Sequence, residues 1–157
     1  MTIEAWVNPI NMNGWETVLM KERGIQGEGL LSYALYAHDG APLALGQPVP
    51  AGYVRVNPTA STSDSAVRGT TKLPLNTWTH LATTYDGANQ RFYVNGVLVG
   101  TTPRTGTIAE TNGAIRIGGN NSSLQEFFQG IIDEVRVYNR ALTAAEIQTD
   151  MVTPIVR

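Results

Sequence analysis

The sequence predicts an all-β protein, an antiparallel β-sandwich with a short helix near its C-terminal end. Three observations carry this expectation. Between Trp78 and Val99 the chain alternates through Trp78-Thr79-His80-Leu81-Ala82-Thr83-Thr84-Tyr85 and turns at Asp86-Gly87. It resumes at Arg91-Phe92-Tyr93-Val94, turns again at Asn95-Gly96 and continues through Val97-Leu98-Val99. Alternating runs joined by such turn pairs describe antiparallel hairpins with one buried and one wet face. Similar short runs recur along the whole chain, at the spacing expected of a sandwich or barrel. Finally, 16 glycines and 8 prolines against only 15% charged residues suit many short strands and tight turns.

Each element follows from its own pattern. Thr2-Ile3-Glu4-Ala5-Trp6-Val7 alternates, with Ile3, Ala5 and Val7 on one face and Glu4 and Trp6 on the other, and Asn8-Pro9 closes it. Trp15–Lys21 reads as a second strand, and Gly24–Gly29 as a loop. Leu30–Ala37 makes a third strand, ended by the turn pair Asp39-Gly40. Ala41–Pro50 is rich in Pro and Gly, Gly52–Val56 resumes the strand pattern, and Asn57–Ser65 reads as a polar loop. The Trp78 hairpins follow, then Ala114–Gly119 and Gly130–Tyr138. Thr143-Ala144-Ala145-Glu146 is a capping box, and Leu142 can staple onto Ile147, so a helix is expected to run to about Met151 and stop before Pro154.

Composition bounds the function. At 157 residues, with no internal repeat, the chain reads as a single domain over 1–157. A net charge of −2 with scattered basic residues gives no footprint for nucleic acid or an anionic membrane. No apolar run approaches the roughly 20 residues a membrane-spanning helix needs. The absence of cysteine excludes disulfides, thiolate metal sites and cysteine nucleophiles. The residues after Met1 enter a strand pattern at once, without the charged start and apolar core of a signal peptide. The chain is therefore either cytoplasmic or a piece of a longer secreted one.

Several segments, in order, resemble the laminin-G-like jelly-roll domains of the concanavalin-A-like lectin and glucanase superfamily. They are Ile3–Val7, Trp78–Ala82, Tyr85-Asp86-Gly87, Tyr93-Val94-Asn95-Gly96, Ile115–Gly118 and Gly130–Leu142. Gly24–Ser65 is matched least and reads as a variable insertion. The resemblance implies an extracellular or cell-surface setting, with a glycan or an extracellular protein as partner. Relatives usually carry a strand or two before the equivalent of Thr2. Their lack would leave a sheet edge open to a loop, to self-association as a homo-oligomer, or to residues of a longer parent.

The resemblance also nominates chemistry to be weighed residue by residue. Glucanases of the superfamily place two carboxylates on one face of one strand. The strand carboxylates here, Asp133 and Glu134, are adjacent, and alternation is expected to turn them to opposite faces. His38 sits beside a turn and His80 inside a strand, where a half-buried residue bonding a cross-strand neighbour is the simplest reading. Trp6 and Trp78 read as core aromatics. No hydrolase motif is present, so the chain reads as non-catalytic. In several relatives the aspartate opening the last strand binds a structural calcium, which makes Asp133 a candidate Ca2+ ligand; capping a turn or pairing with Arg136 or Lys21 is the alternative.

Sugar recognition requires an aromatic platform with amides and carboxylates beside it. The loops around Asn11–Trp15, Tyr36–Asp39 and Gly118–Ser123 supply those types, so Trp15, Tyr36, Asp39, Asn120 and Asn121 are the candidate ligand-binding residues. Trp15 leads because it follows Asn13-Gly14 in a loop, although it could fold onto the sandwich end, and Asn120-Asn121 could simply make a turn. The leading expectation is a carbohydrate- or protein-binding module of a larger secreted or surface protein. The alternatives are an assembly domain that pairs through a sheet edge, and a glycoside hydrolase relative.

Overall fold

The computed structural model describes residues 1–22, 31–40, 48–57, 65–120 and 126–156. Two five-stranded antiparallel sheets stack face to face. The first contains β1 (Thr2–Pro9), β7 (Thr79–Tyr85), β8 (Asn89–Val94), β9 (Val97–Pro103) and β12 (Gly130–Tyr138), in the order β12-β1-β7-β8-β9. The second contains β2 (Trp15–Glu22), β3 (Leu31–Asp39), β4 (Ala51–Val54), β6 (Ser65–Arg68) and β11 (Ile115–Ile117), in the order β11-β2-β3-β4-β6. A small ladder pairs β5 (Val56–Asn57) with β10 (Thr107–Ile108), and one helix, α1 (Ala144–Met151), closes the described chain.

The expected strands are present. The Asn95-Gly96 turn takes positive φ at both residues, 49° and 72°, as a two-residue hairpin of right-handed twist demands. Asn95 Oδ1 also accepts the His80 amide at 2.9 Å, which locks the turn against β7. Strand β6 was not expected; Ser65–Arg68 is four residues long and follows a Ser/Thr-rich stretch, so no alternation announced it. The loops read at Gly24–Gly29, most of Ala41–Pro50 and most of Asn57–Ser65 lie outside the described residues. β1 is flanked on both sides, by β7 and β12, so it leaves no open edge. The edges are β12, β9, β11 and β6.

Alternation sorts side chains as the pattern of β1 implied. Ile3, Ala5 and Val7 face inward and pack with Val18, Leu35, Ala37, Val67, Leu81 and Phe92 from both sheets. The sheets approach so closely at β4 that only glycine fits: a Cβ on Gly52 would lie 2.2 Å from Thr83 Oγ1 on β7.

The outer face of the first sheet is covered by α1. Thr143 and Glu146 form the reciprocal capping box, and Leu142 and Ile147 pack with Ala82, Tyr93 and Tyr138. Polar contacts complete the seam. Trp6 Nε1 donates to Met151 O at 3.3 Å, the Tyr138 hydroxyl to Asp150 Oδ2 at 2.8 Å, and Arg136 Nη1 to Asp150 O at 3.1 Å.

Beneath this seam, Glu4 and His80 are fully buried, with His80 Nε2 3.9 Å from Glu4 Oε2 and the His80 ring edge-on to Trp6. His80 is thus sealed rather than half-buried, and its ring nitrogens have no hydrogen-bond partner among the described residues. Burial, then the Asp150 carboxylate, raises the Glu4 pKa to about 8, while burial followed by the Arg136 charge lowers that of His80 to about 4. Near neutrality the pair is therefore uncharged. It is a packing contact rather than a salt bridge.

Two outcomes follow from this packing. Gly52→Ala should destabilise the domain by about 1–3 kcal/mol through overpacking, measured as a lower urea midpoint at unchanged slope. For Glu4, unfolding releases a proton that the native state holds, so stability falls as pH rises from the ordinary 4.5 towards 8. For His80 the sense is opposite, and stability falls as pH drops from 6.5 towards 4. Melting temperature should therefore peak between 4.5 and 6.5, and Glu4→Gln should flatten the alkaline limb by up to roughly 1.4 kcal/mol per pH unit. A variant whose alkaline limb matches the parent would refute this.

Candidate functional site

On β3 the inward residues are Leu35 and Ala37, so Ala34 and Tyr36 turn to the sheet's outer face. On β4, Gly52 points inward at Thr83 and its neighbour Tyr53 outward. Trp15, the first residue of β2, joins them. The three rings form a closed edge-on cluster: Trp15–Tyr36 centroids lie 5.1 Å apart at 67°, Tyr36–Tyr53 5.4 Å at 77°, and Trp15–Tyr53 6.1 Å at 53°. Each such pair contributes about 0.5–1.5 kcal/mol beyond area burial and fixes ring orientation.

Charged groups brace the cluster from two sides. Asp39, at the end of β3 and fully buried, accepts Arg68 Nε at 2.5 Å and the Tyr53 hydroxyl at 3.3 Å. Arg68 Nη2 donates to the Tyr53 oxygen at 3.0 Å, and its guanidinium lies 5.8 Å from the Tyr53 ring centroid. On the other side the Tyr36 hydroxyl donates to Glu126 Oε2 at 3.0 Å, and Asn120 Oδ1 accepts the Glu126 amide at 3.3 Å. Burial raises the Glu126 pKa, opposed by the hydrogen bond from Tyr36. Burial first, and the neighbouring carboxylates second, push both tyrosine hydroxyls above their ordinary value, so both stay protonated donors.

The approach to Trp15 is equally constrained. His38 Nδ1 contacts the Gly14 carbonyl, and Glu16 Oε2 accepts the Gln129 amide at 2.8 Å, which fixes the backbone on either side of the tryptophan. Gly40, at φ 59°, lies against the indole, where a Cβ would come within 2.7 Å of Trp15 Cδ1. His38, beside the turn at Asp39-Gly40, is thus a buried strand residue with a positioning role.

Four of the five residues nominated for ligand binding, Trp15, Tyr36, Asp39 and Asn120, meet in this one cluster; Asn121 lies outside the described residues. Tyr36, Asp39 and Asn120 are buried and engaged internally, whereas Trp15 is half-buried and the Arg68 side chain is 33% exposed. Sequence reasoning missed Tyr53, Arg68 and Glu126. Tyr53 was legible as the outward residue of an alternating strand. Arg68 and Glu126 carried no local signal, because long-range pairing alone brings them in.

Asp133 lies elsewhere, on the outer face of the first sheet. Two steps along β1, from Glu4 to Trp6, face three along β12, from Arg136 to Asp133, so β12 carries a bulge. Glu134 occupies it with φ 53°. The expectation that alternation separates Asp133 from Glu134 fails here, because the bulge breaks the alternation: both side chains line one cleft of about 250 Å³ with Trp6 and Trp78. Trp78 is 42% exposed rather than core, since it precedes β7 and stands outside the sandwich. Glu134, not Asp133, pairs with Arg136, at 2.9 Å, and also accepts the Ile155 amide at 2.7 Å. Lys21 is spent on the Gly113 carbonyl.

Calcium favours six to eight oxygen ligands. No group of three or more acidic, histidine or cysteine side chains gathers among the described residues, and Glu134, the carboxylate beside Asp133, is already neutralised by Arg136. Any calcium bound at Asp133 would therefore have to draw its further ligands from backbone carbonyls.

Comparison with solved structures finds the same fold. Domain 4 of AbnA, a GH43 extracellular arabinanase from Geobacillus stearothermophilus solved with arabinotriose, superposes with a TM-score of 0.69 at 21% identity, over 95% of this chain and 65% of that one. The CBM40 of a Ruminococcus gnavus IT-sialidase gives 0.70 at 16% identity, over 94% and 80%. A candidate carbohydrate-binding protein from Bacteroides ovatus gives 0.70 at 24% identity, over 94% of this chain and 39% of that one. The chain thus spans less than two-thirds of two of these three proteins. Comparison with curated protein sequences finds no match. The family model of the laminin-G type described as the concanavalin A-like lectin/glucanases superfamily matches residues 1–148, and the chain belongs to that family.

Proposed function

We propose that this domain is a non-catalytic carbohydrate-binding module of a larger extracellular protein, and that it engages its glycan at Trp15 on the outer face of the second sheet. The observation that carries the reading is the braced aromatic cluster. Tyr36, Tyr53 and Gly40 hold the indole in one orientation, so little side-chain entropy remains to be lost when a sugar ring stacks on it. Arg68, partly exposed and held by Asp39 and Tyr53, supplies donors for hydroxyl or carboxylate oxygens beside that platform. The structural neighbours include proteins solved with arabinotriose and with sialyllactose, a neutral and an acidic glycan, which supports a glycan ligand of either charge.

The non-catalytic part rests on where the perturbed groups are. Glu4 and His80 have the shifted pKa values of an acid–base pair, yet both are fully buried beneath α1 and out of a substrate's reach. A second reading, assembly through a sheet edge, is favoured by Ile115 and Ile117, which stand 52% and 58% exposed on edge strand β11. Light scattering that returns a stable dimer, lost in Ile117→Lys, would support it.

Titration calorimetry with arabino-oligosaccharides and sialyllactose tests the leading reading. Trp15→Ala should weaken binding by about tenfold or more, the equivalent of roughly 1.4 kcal/mol, and Gly40→Ala should follow it by displacing the indole. Trp15→Phe should retain part of the affinity. Binding by Trp15→Ala at parental strength, or no glycan bound by the parent, would overturn the reading. Calcium has its own test. A chelator should leave the melting temperature unchanged, whereas a metal bound only to the native state would add about 2.7 kcal/mol at a hundredfold excess over its Kd.

A further inference from the structure

The Trp6–Trp78–Asp133–Glu134 cleft is on the sheet opposite the Trp15 cluster, and none of the argument above uses it. Its volume of about 250 Å³ equals roughly eight water molecules at ~30 Å³ each, the size of a small organic head group. Its chemistry is one-sided. The described lining side chains offer two indoles and two carboxylates, and the indole N–H of Trp6 is already donated to Met151 O. Glu134 is neutralised by Arg136 at 2.9 Å, and Arg136 does not line the cleft. Asp133 is exposed and has no cationic partner among the described residues; its Oδ1 accepts the adjacent Glu134 amide at 2.9 Å. Among the described residues, the cleft therefore carries one uncompensated negative charge beside two electron-rich ring faces.

Sugar hydroxyls would find acceptors here, but with the Trp6 N–H spent the described lining residues leave only the Trp78 indole N–H as a donor to sugar oxygens. Among the described residues no third acidic, histidine or cysteine side chain joins the two carboxylates as a metal ligand. An alkylammonium head needs only π faces and a carboxylate, both of which are present. We infer that this cleft is a binding site for an organic cation, a quaternary or protonated alkylammonium group, held between Trp6 and Trp78 and neutralised by Asp133.

The bulge is what builds the site. With regular alternation Asp133 and Glu134 would point to opposite faces; the left-handed Glu134 turns both onto the tryptophans. A non-glycine residue at φ 53° is strained, and such strain persists where surrounding contacts impose it. Here the contacts of Glu134 with Arg136 and the Ile155 amide impose it.

The test is tryptophan fluorescence titration of the intact chain with choline, and with its neutral isostere 3,3-dimethylbutan-1-ol. Choline should give saturable quenching in the millimolar range, with the isostere at least about fivefold weaker, since the charge supplies the cation–π and ionic terms. Trp78→Ala should abolish the response, and Asp133→Asn should weaken it by about fivefold or more. Both residues are exposed, so both variants should melt with the parent. Trp15→Ala should bind choline as the parent does, which separates this site from the glycan platform. Equal affinity for choline and its isostere, no saturable choline response, or a neutral glycoside whose binding is lost in Trp78→Ala would each overturn the assignment.

Discussion

Each sheet of this sandwich has two faces, and only one of them can be buried against the other sheet. The inner faces meet in a dry layer around Leu35, Leu81 and Phe92, so tight at Gly52 and Thr83 that it leaves no freedom in strand register. That register decides everything on the outside. Once Gly52 points inward Tyr53 must point outward, and once Ile3 and Ala5 point inward Glu4 and Trp6 must not.

The two outer faces are finished by different means. On the first sheet α1 and the segment leading into it lay Ile147 and Leu142 over Ala82 and Tyr93, and in doing so seal Glu4 and His80 from water. The cost of burying two titratable groups is limited because each adopts its neutral form. On the second sheet an aromatic cluster takes the place of a helix, with Asp39–Arg68 and Glu126 as its polar frame. A buried carboxylate such as Asp39 is tolerable only with its cation in place, so Arg68 is structurally obligatory even while it stays partly open to solvent.

This division explains why the two aromatic features differ in chemistry. The Trp15 cluster is bordered by both donors and acceptors, which is what a polyhydroxylated ligand requires. The Trp6–Trp78 cleft is bordered by two carboxylates and, among the described residues, a single unspent donor, the Trp78 indole N–H. A β-bulge produces that asymmetry by gathering two carboxylates that ordinary strand geometry would separate.

Apart from the short strands β6 and β10, the strands, their hairpins and the helix were legible from the sequence because their causes are local. Asn95-Gly96 selects a positive-φ turn, Thr143 with Glu146 caps a helix, and the alternation of Ile3-Glu4-Ala5-Trp6-Val7 sets faces within a few residues. Local cues also nominated Trp15, Tyr36, Asp39 and Asn120. What tertiary structure alone decided was their company and their exposure. Arg68 reaches Asp39 across 29 positions and Glu126 reaches Tyr36 across 90. The bulge at Glu134 likewise arises only when β12 pairs with β1, more than 120 residues away in sequence. Periodicity reports which face a side chain takes within its own strand; it carries no information about which distant strand will lie beside it, and charge partners and clefts are made between strands.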